Sequence, residues 1–91
     1  MEKPSYQQVF EAFKAKLGDE EISKTLAKKF IAYNEANVDE SKEWTVKVSA
    51  KKRVKMINWH LAINTFIRNI SRYNRDIMIR IERNKLFSNE N

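Results

Sequence analysis

The 91 residues contain no cysteine, which excludes disulfides, thiolate metal ligands and a cysteine nucleophile. Stability must then come from apolar packing, with a partner chain as the one outside source. There is one glycine, Gly18, so no glycine-rich loop exists to cradle a nucleotide phosphate. No apolar run approaches the roughly 20 residues that span a bilayer, and Met1-Glu2-Lys3-Pro4 lacks the charged-then-apolar pattern of a signal peptide. The chain therefore reads as cytoplasmic, without membrane contact. The single histidine, His60, sits inside an apolar stretch with no carboxylate close in sequence, which suits a packed structural side chain and not a metal ligand. Glu20-Glu21 and Asp39-Glu40 are adjacent pairs, and neighbours point in different directions on a helix, so neither makes a two-carboxylate site. We expect a non-enzymatic protein with no catalytic residue, cofactor or metal.

What is present is apolar periodicity and an uneven charge. At this length about three-fifths of the unfolded chain's surface can be buried, enough for one small domain. Hydrophobic residues at 42% and aromatics at 11% are too many for a disordered tail, despite 33% charged residues. Residues 1–50 hold eight Lys, no Arg and nine acidic residues, net −1, whereas residues 51–91 hold ten Lys plus Arg and three acidic residues, net +7. One pole of the molecule is thus basic, which attracts phosphate polymers or acidic proteins.

Ser5 and Gln8 form a capping-box pair at a helix start, and Tyr6, Val9, Phe10, Phe13 and Leu17 make one stripe. Gly18 ends that helix, since the left-handed exit of a helix favours glycine. Asp19 caps the next, whose stripe is Ile22, Leu26, Phe30 and Tyr33, and Lys24, Lys28 and Lys29 lie outside. The two make a helical hairpin over 5–37. Residues 38–49 read as a loop and an extended arm, with Trp44, Val46 and Val48 alternating as in a strand. A lone strand has no partner within the chain, so it is either an arm laid across the helices and anchored by Trp44 or an edge that pairs with another molecule.

From Lys51 the helical pattern resumes to about residue 86. Trp59, Ile63 and Phe66 project from one side of a helix and Val54, Ile57 and Leu61 from nearly the opposite side, as in a central core helix. The first series continues through Ile70, Tyr73, Ile77 and Ile81 as a near-heptad seam. A continuous helix of about 35 residues would be roughly 50 Å long, so a break around Asn69 to Asn74 is expected, and the tail 88–91 should fray. The expected fold is mainly α: a small helical bundle of 3–4 helices in one domain, with one short extended segment around residues 44–48 and a long or broken basic helix over 51–86.

On an unbroken helix Arg68, Arg72, Arg75 and Arg83 fall within an arc of about 80°, opposite the seam, with Arg80 beside them. Guanidinium forks grip phosphate oxygens in pairs, so this stripe suits a nucleic-acid backbone, extended by Lys51, Lys52, Arg53 and Lys55. Asn64, Asn69 and Asn74 supply hydrogen-bonding groups between the cations. A second reading makes Trp44, Ile70, Ile77 and Ile81 an interface completed by a partner subunit or a second copy, with the charge docking an acidic surface.

The stretch Ala27 to Asn37, then Trp44, then Ile57 to Asn69 resembles a module near the C-terminus of phage and plasmid replication initiators, replisome organisers and helicase loaders. There an aromatic helix ending in a Tyr-Asn-type run is followed by a loop with Trp, and then by a helix beginning Asn-Trp, here Asn58-Trp59. The chain departs from it in the longer insertion Val38 to Glu43. The resemblance implies an accessory module of a phage, plasmid or other mobile element that acts in replication on single-stranded or forked DNA, or docks on a replication helicase or polymerase. Phe30, Tyr33, Trp44, Trp59 and Phe66 would be its framework, and those exposed would stack on bases. DNA is the expected partner, RNA less so.

Overall fold

The computed structural model describes the backbone of residues 1–89, and the side chains of all of these except 71, 73, 81 and 84–89. Four helices and a two-stranded antiparallel sheet follow in the order α1 (Tyr6–Leu17), α2 (Glu20–Glu35), β1 (Thr45–Ser49), β2 (Lys52–Lys55), α3 (Trp59–Tyr73) and α4 (Arg75–Asn89). The fold is thus mainly α, as the periodicity leads one to expect.

Local chemistry sets the helix boundaries. The Ser5 hydroxyl accepts from the Gln8 backbone N–H at 3.2 Å, and the Gln8 side chain accepts from the Ser5 N–H at 2.8 Å, satisfying two donors at the start of α1. Gly18, at φ +70°, takes the left-handed exit and returns its N–H to the Lys14 carbonyl. One residue later the Asp19 carboxylate accepts from the Ile22 N–H at 2.9 Å and starts α2. A turn this short makes α1 and α2 antiparallel neighbours.

Their facing stripes, with α3, enclose the core. Val9, Phe13, Leu26, Ala27 and Ile63 are fully buried, and the rings of Phe13, Phe30 and Phe66 meet edge to face at 5.4 to 6.0 Å. Such T-shaped contacts set the positive ring edge on the negative face. The α2 stripe is rotated from the expected one: Tyr33 is 50% exposed, and Asn34 is buried in its place, its amide donating to the Phe30 carbonyl at 2.9 Å. A buried amide is tolerated there because its own helix supplies the acceptor.

The stretch 44–61 overturns four expectations. The strand at 45–49 has a partner within the chain, β2, and residues 52–55 form that strand, with Lys51 in the turn before it, in place of the start of a helix. Val54, on β2, together with Ile57 (89% exposed) and Leu61 (64% exposed), makes no second core face. His60 is likewise an exposed side chain, its ring stacked on Trp59 at 3.8 Å between centroids. The physical reason is Asn58, whose carboxamide accepts from the His60 N–H at 2.9 Å and starts α3 there, freeing the preceding residues to pair with β1. Ala50 and Lys51 join the strands without positive φ, and Val48 stands unpaired between the Lys47↔Arg53 and Ser49↔Lys52 pairs. This bulge accommodates a turn that is not of the mirror-image type that strand twist favours.

Trp44 fastens this ribbon to the helices. It is 1% exposed, meets Phe30 edge-on at 5.8 Å, and donates its indole N–H to Glu35 at 3.0 Å. Its carbonyl accepts from the Met56 N–H at 2.9 Å, and it bridges to Val38 on the other side. Between them Asp39 organises the turn, its carboxylate accepting from the N–H groups of Ser41 and Glu43, while Lys42 takes φ +62°. Trp44 is therefore a core residue and presents no surface to a partner.

The expected break falls at Asn74. Its extended backbone (φ −131°, ψ 98°) ends α3, and its carboxamide accepts from the Ile77 N–H at 3.1 Å at the start of α4. Ile70 and Ile77 are half-buried against the chain's own core, which removes them as a free seam, and the Ile81 side chain lies outside the described residues. Of the tail, Ser88 and Asn89 continue α4, and the last two residues lie outside the described chain.

Candidate nucleic-acid interface

The continuous arginine stripe does not exist. Because Asn74 is extended, Arg68 and Arg72 belong to α3 and Arg75, Arg80 and Arg83 to α4, so the helical arithmetic that aligned them stops at residue 73. All five are exposed. Arg80 is tied to the first half of the chain, its guanidinium 3.2 Å from Asp19 and 3.7 Å from Glu21. It pins α4 to the start of α2, where the two carboxylates also complement the helix dipole.

The ribbon holds the denser charge. Between Thr45 and Asn58 lie Lys47, Lys51, Lys52, Arg53 and Lys55 without an acidic residue, and the next carboxylate along the chain is Asp76. The antiparallel register sets Lys47 opposite Arg53 and Thr45 opposite Lys55, so these four share one face and Val46 and Val54 the other. Two like charges directly opposite each other cost stability, and among the described residues no ion pair takes any of the five ribbon cations.

Arg53 is held in place by neutral partners. Its Nε donates to the Thr45 hydroxyl at 2.8 Å and an Nη to the Thr45 carbonyl at 3.2 Å. Thr45 in turn donates its hydroxyl hydrogen to the Asn37 carbonyl just beyond α2. The half-buried guanidinium thus keeps its full charge in a fixed position, which makes Arg53 partly structural, whereas Lys47, Lys51, Lys52 and Lys55 are exposed and unconstrained.

Beside the ribbon runs an open groove of about 680 Å³ between β1, the C-terminal half of α2 and one side of α3. Tyr33 stands on the α2 wall, Lys47 and Arg53 on the ribbon wall, and Thr65, Phe66 and Asn69 on the α3 wall. Leu61, Thr65, Arg68 and Arg72 follow at spacings of 4, 3 and 4 along α3, an exposed strip that borders the groove through Thr65. Arg68 and Arg72 therefore flank the groove from one side and the ribbon lysines from the other. Neither the place of Lys47 opposite Arg53 nor the groove is among the expectations drawn from the sequence. The signal was there: eight cations and no carboxylate between residues 45 and 75, and the two-residue alternation of Arg53, Val54, Lys55 and Met56.

Of the expected interface, then, Lys51, Lys52, Arg53 and Lys55 come together on the ribbon and Arg68 and Arg72 beside the groove, while Arg75, Arg80 and Arg83 belong to a separate helix. No family model, no curated protein and no solved structure matches the chain. No described helix is long and apolar enough to cross a membrane.

Proposed function

We propose that this is a small DNA-binding accessory protein whose ribbon and α3 strip hold a phosphate backbone. The observation that carries this reading is the opposed pair Lys47 and Arg53 within a ribbon that has no carboxylate of its own. Phosphates between those cations would turn a destabilising contact into charge-assisted hydrogen bonds. The stretch that resembles replication accessory modules, residues 27–69, spans the ribbon and most of α3. On that basis we assign the protein to replication of a phage, plasmid or other mobile element, on single-stranded or forked DNA, beside a helicase or polymerase and without catalysis of its own.

Gel shifts with single-stranded, duplex and forked DNA at several salt concentrations test this. If about five phosphates are held on a single strand, log affinity falls against log salt with a slope near −3.5. Binding that is absent from all three forms, or indifferent to salt, would remove the reading. A second reading, a protein adaptor, rests on Ile57 and Leu61, four residues apart and 89% and 64% exposed. That apolar spot, and not the seam at Ile70 and Ile77, is where such a partner would dock. Ile57→Ser, which lies outside the α3 strip and adds no charge, would then weaken partner binding and leave salt-dependent DNA binding intact.

A further inference from the structure

We infer that the groove between Tyr33, β1 and α3 is a nucleobase site, so that the protein takes unpaired bases into its body while the ribbon holds their phosphates; this rests on the DNA-binding reading above. The walls supply what a base needs. Tyr33 lines the groove and is half exposed, so its side chain is accessible there, and Phe66 adds apolar surface to the same groove. Every base has a π-face, so stacking there is tolerant of sequence. Asn69 and Thr65, both exposed on the opposite wall, provide hydrogen-bonding groups for a base edge. Lys47 and Arg53 stand on the third wall, where the phosphate of a base seated in the groove would lie.

The shape of the groove selects among polyanions. A concave site backed by α2 and α3 reaches a base only if that base is out of its duplex stack, so paired DNA meets the ribbon alone. An extended acidic peptide is the other occupant such a groove invites, added as a strand to the edge of β1. The bulge at Val48 argues against it, because it leaves only Thr45 to Lys47 in regular register, too short an edge to pair with a strand.

The test compares a 15-nucleotide oligo-dT with an abasic strand of the same length and phosphate number, on the wild-type protein. Binding to oligo-dT is expected to be at least about tenfold tighter, since stacking on one aromatic is worth that much. The gap should close in Tyr33→Ala and persist in Tyr33→Phe, whose ring is unchanged. Equal, salt-dependent affinity for both strands would overturn the base site and leave the phosphate reading standing. No salt-dependent binding to either strand would take both down. Binding of an acidic 15-residue peptide that is lost in Tyr33→Ala, with oligo-dT inert, would overturn the base site and give the groove to a protein.

Discussion

The β1–β2 ribbon and α4 are both basic, yet they handle their charge in opposite ways. On α4, Arg75, Arg80 and Arg83 are interleaved with Asp76 and Glu82, and Arg80 reaches across to Asp19 and Glu21. In the ribbon Lys47 faces Arg53, and Arg53, the cation that is fixed, is held by a hydroxyl and a carbonyl that leave its charge uncompensated. Neutralised arginines serve the fold, whereas uncompensated ones store a repulsion that an incoming anion relieves. The count of cations is similar in the two regions, so charge alone would not separate a docking contact from a binding surface. The partners of each guanidinium do.

The sharpest way to break this contrast is to detach the ribbon. Trp44→Ala removes a fully buried ring that packs edge-on against Phe30, and should lower unfolding stability by about 3–5 kcal/mol in urea titrations. Stability close to wild type would mean that the ribbon is not anchored through Trp44. Next in size is charge reversal. The triple variant Lys47→Glu, Lys52→Glu, Lys55→Glu should weaken binding to single-stranded DNA at least about tenfold at low salt and flatten the salt slope by about 2. Arg75→Glu with Arg83→Glu should change that slope by less than about 1. Equal losses from the two variants would erase the distinction between ribbon and α4.

Arg80→Ala should cost about 0.2–1 kcal/mol in low salt and progressively less as salt rises, because the guanidinium that makes the pair is exposed to solvent; its DNA affinity should stay as in wild type. The smallest effect concerns pH. The indole N–H of Trp44 holds the Glu35 carboxyl below its ordinary range, with Lys3 adding to it and burial opposing it. A depressed carboxyl stabilises the fold above its unfolded value and loses that contribution as pH falls through the lowered folded value. The melting temperature of Glu35→Gln should therefore lie slightly below wild type near neutrality and converge with it below about pH 4. A gap that widened in acid would contradict the Trp44–Glu35 contact.

The exposed state of Tyr33 shows where sequence periodicity stops. Ile22, Leu26, Phe30 and Tyr33 follow one another at helical spacing, and nothing along α2 says that Asn34, not Tyr33, turns inward. That is set by α3, whose Phe66 fills the space beside Phe30 and leaves the next turn to the groove. Asn74 is the converse. The excessive length of an unbroken helix and the low helix propensity of the Asn, Ser and Tyr residues over 69–74 place the end of α3 within that stretch, and the structure shows the local device that makes it, the Asn74 carboxamide competing for backbone hydrogen bonds.

The sequence by itself determined the helical class, the capping box of Ser5 and Gln8, the turn at Gly18-Asp19, the interruption before α4 and the basic second half. The first three are local, following from backbone conformation, a side chain bonding three residues away, or a spacing of three and four, while the interruption follows from helix length and propensity and the charge from composition. Tertiary structure alone decided that residues 52–55 are a strand paired with β1, that Arg80 is neutralised by residues 61 and 59 positions away, and that Tyr33 borders a groove; it also chose, of the two readings of Trp44, the anchor over the partner contact. Those outcomes depend on which surfaces meet, and the choice between a helix and a strand for a short apolar-basic segment is made by the partner that buries it.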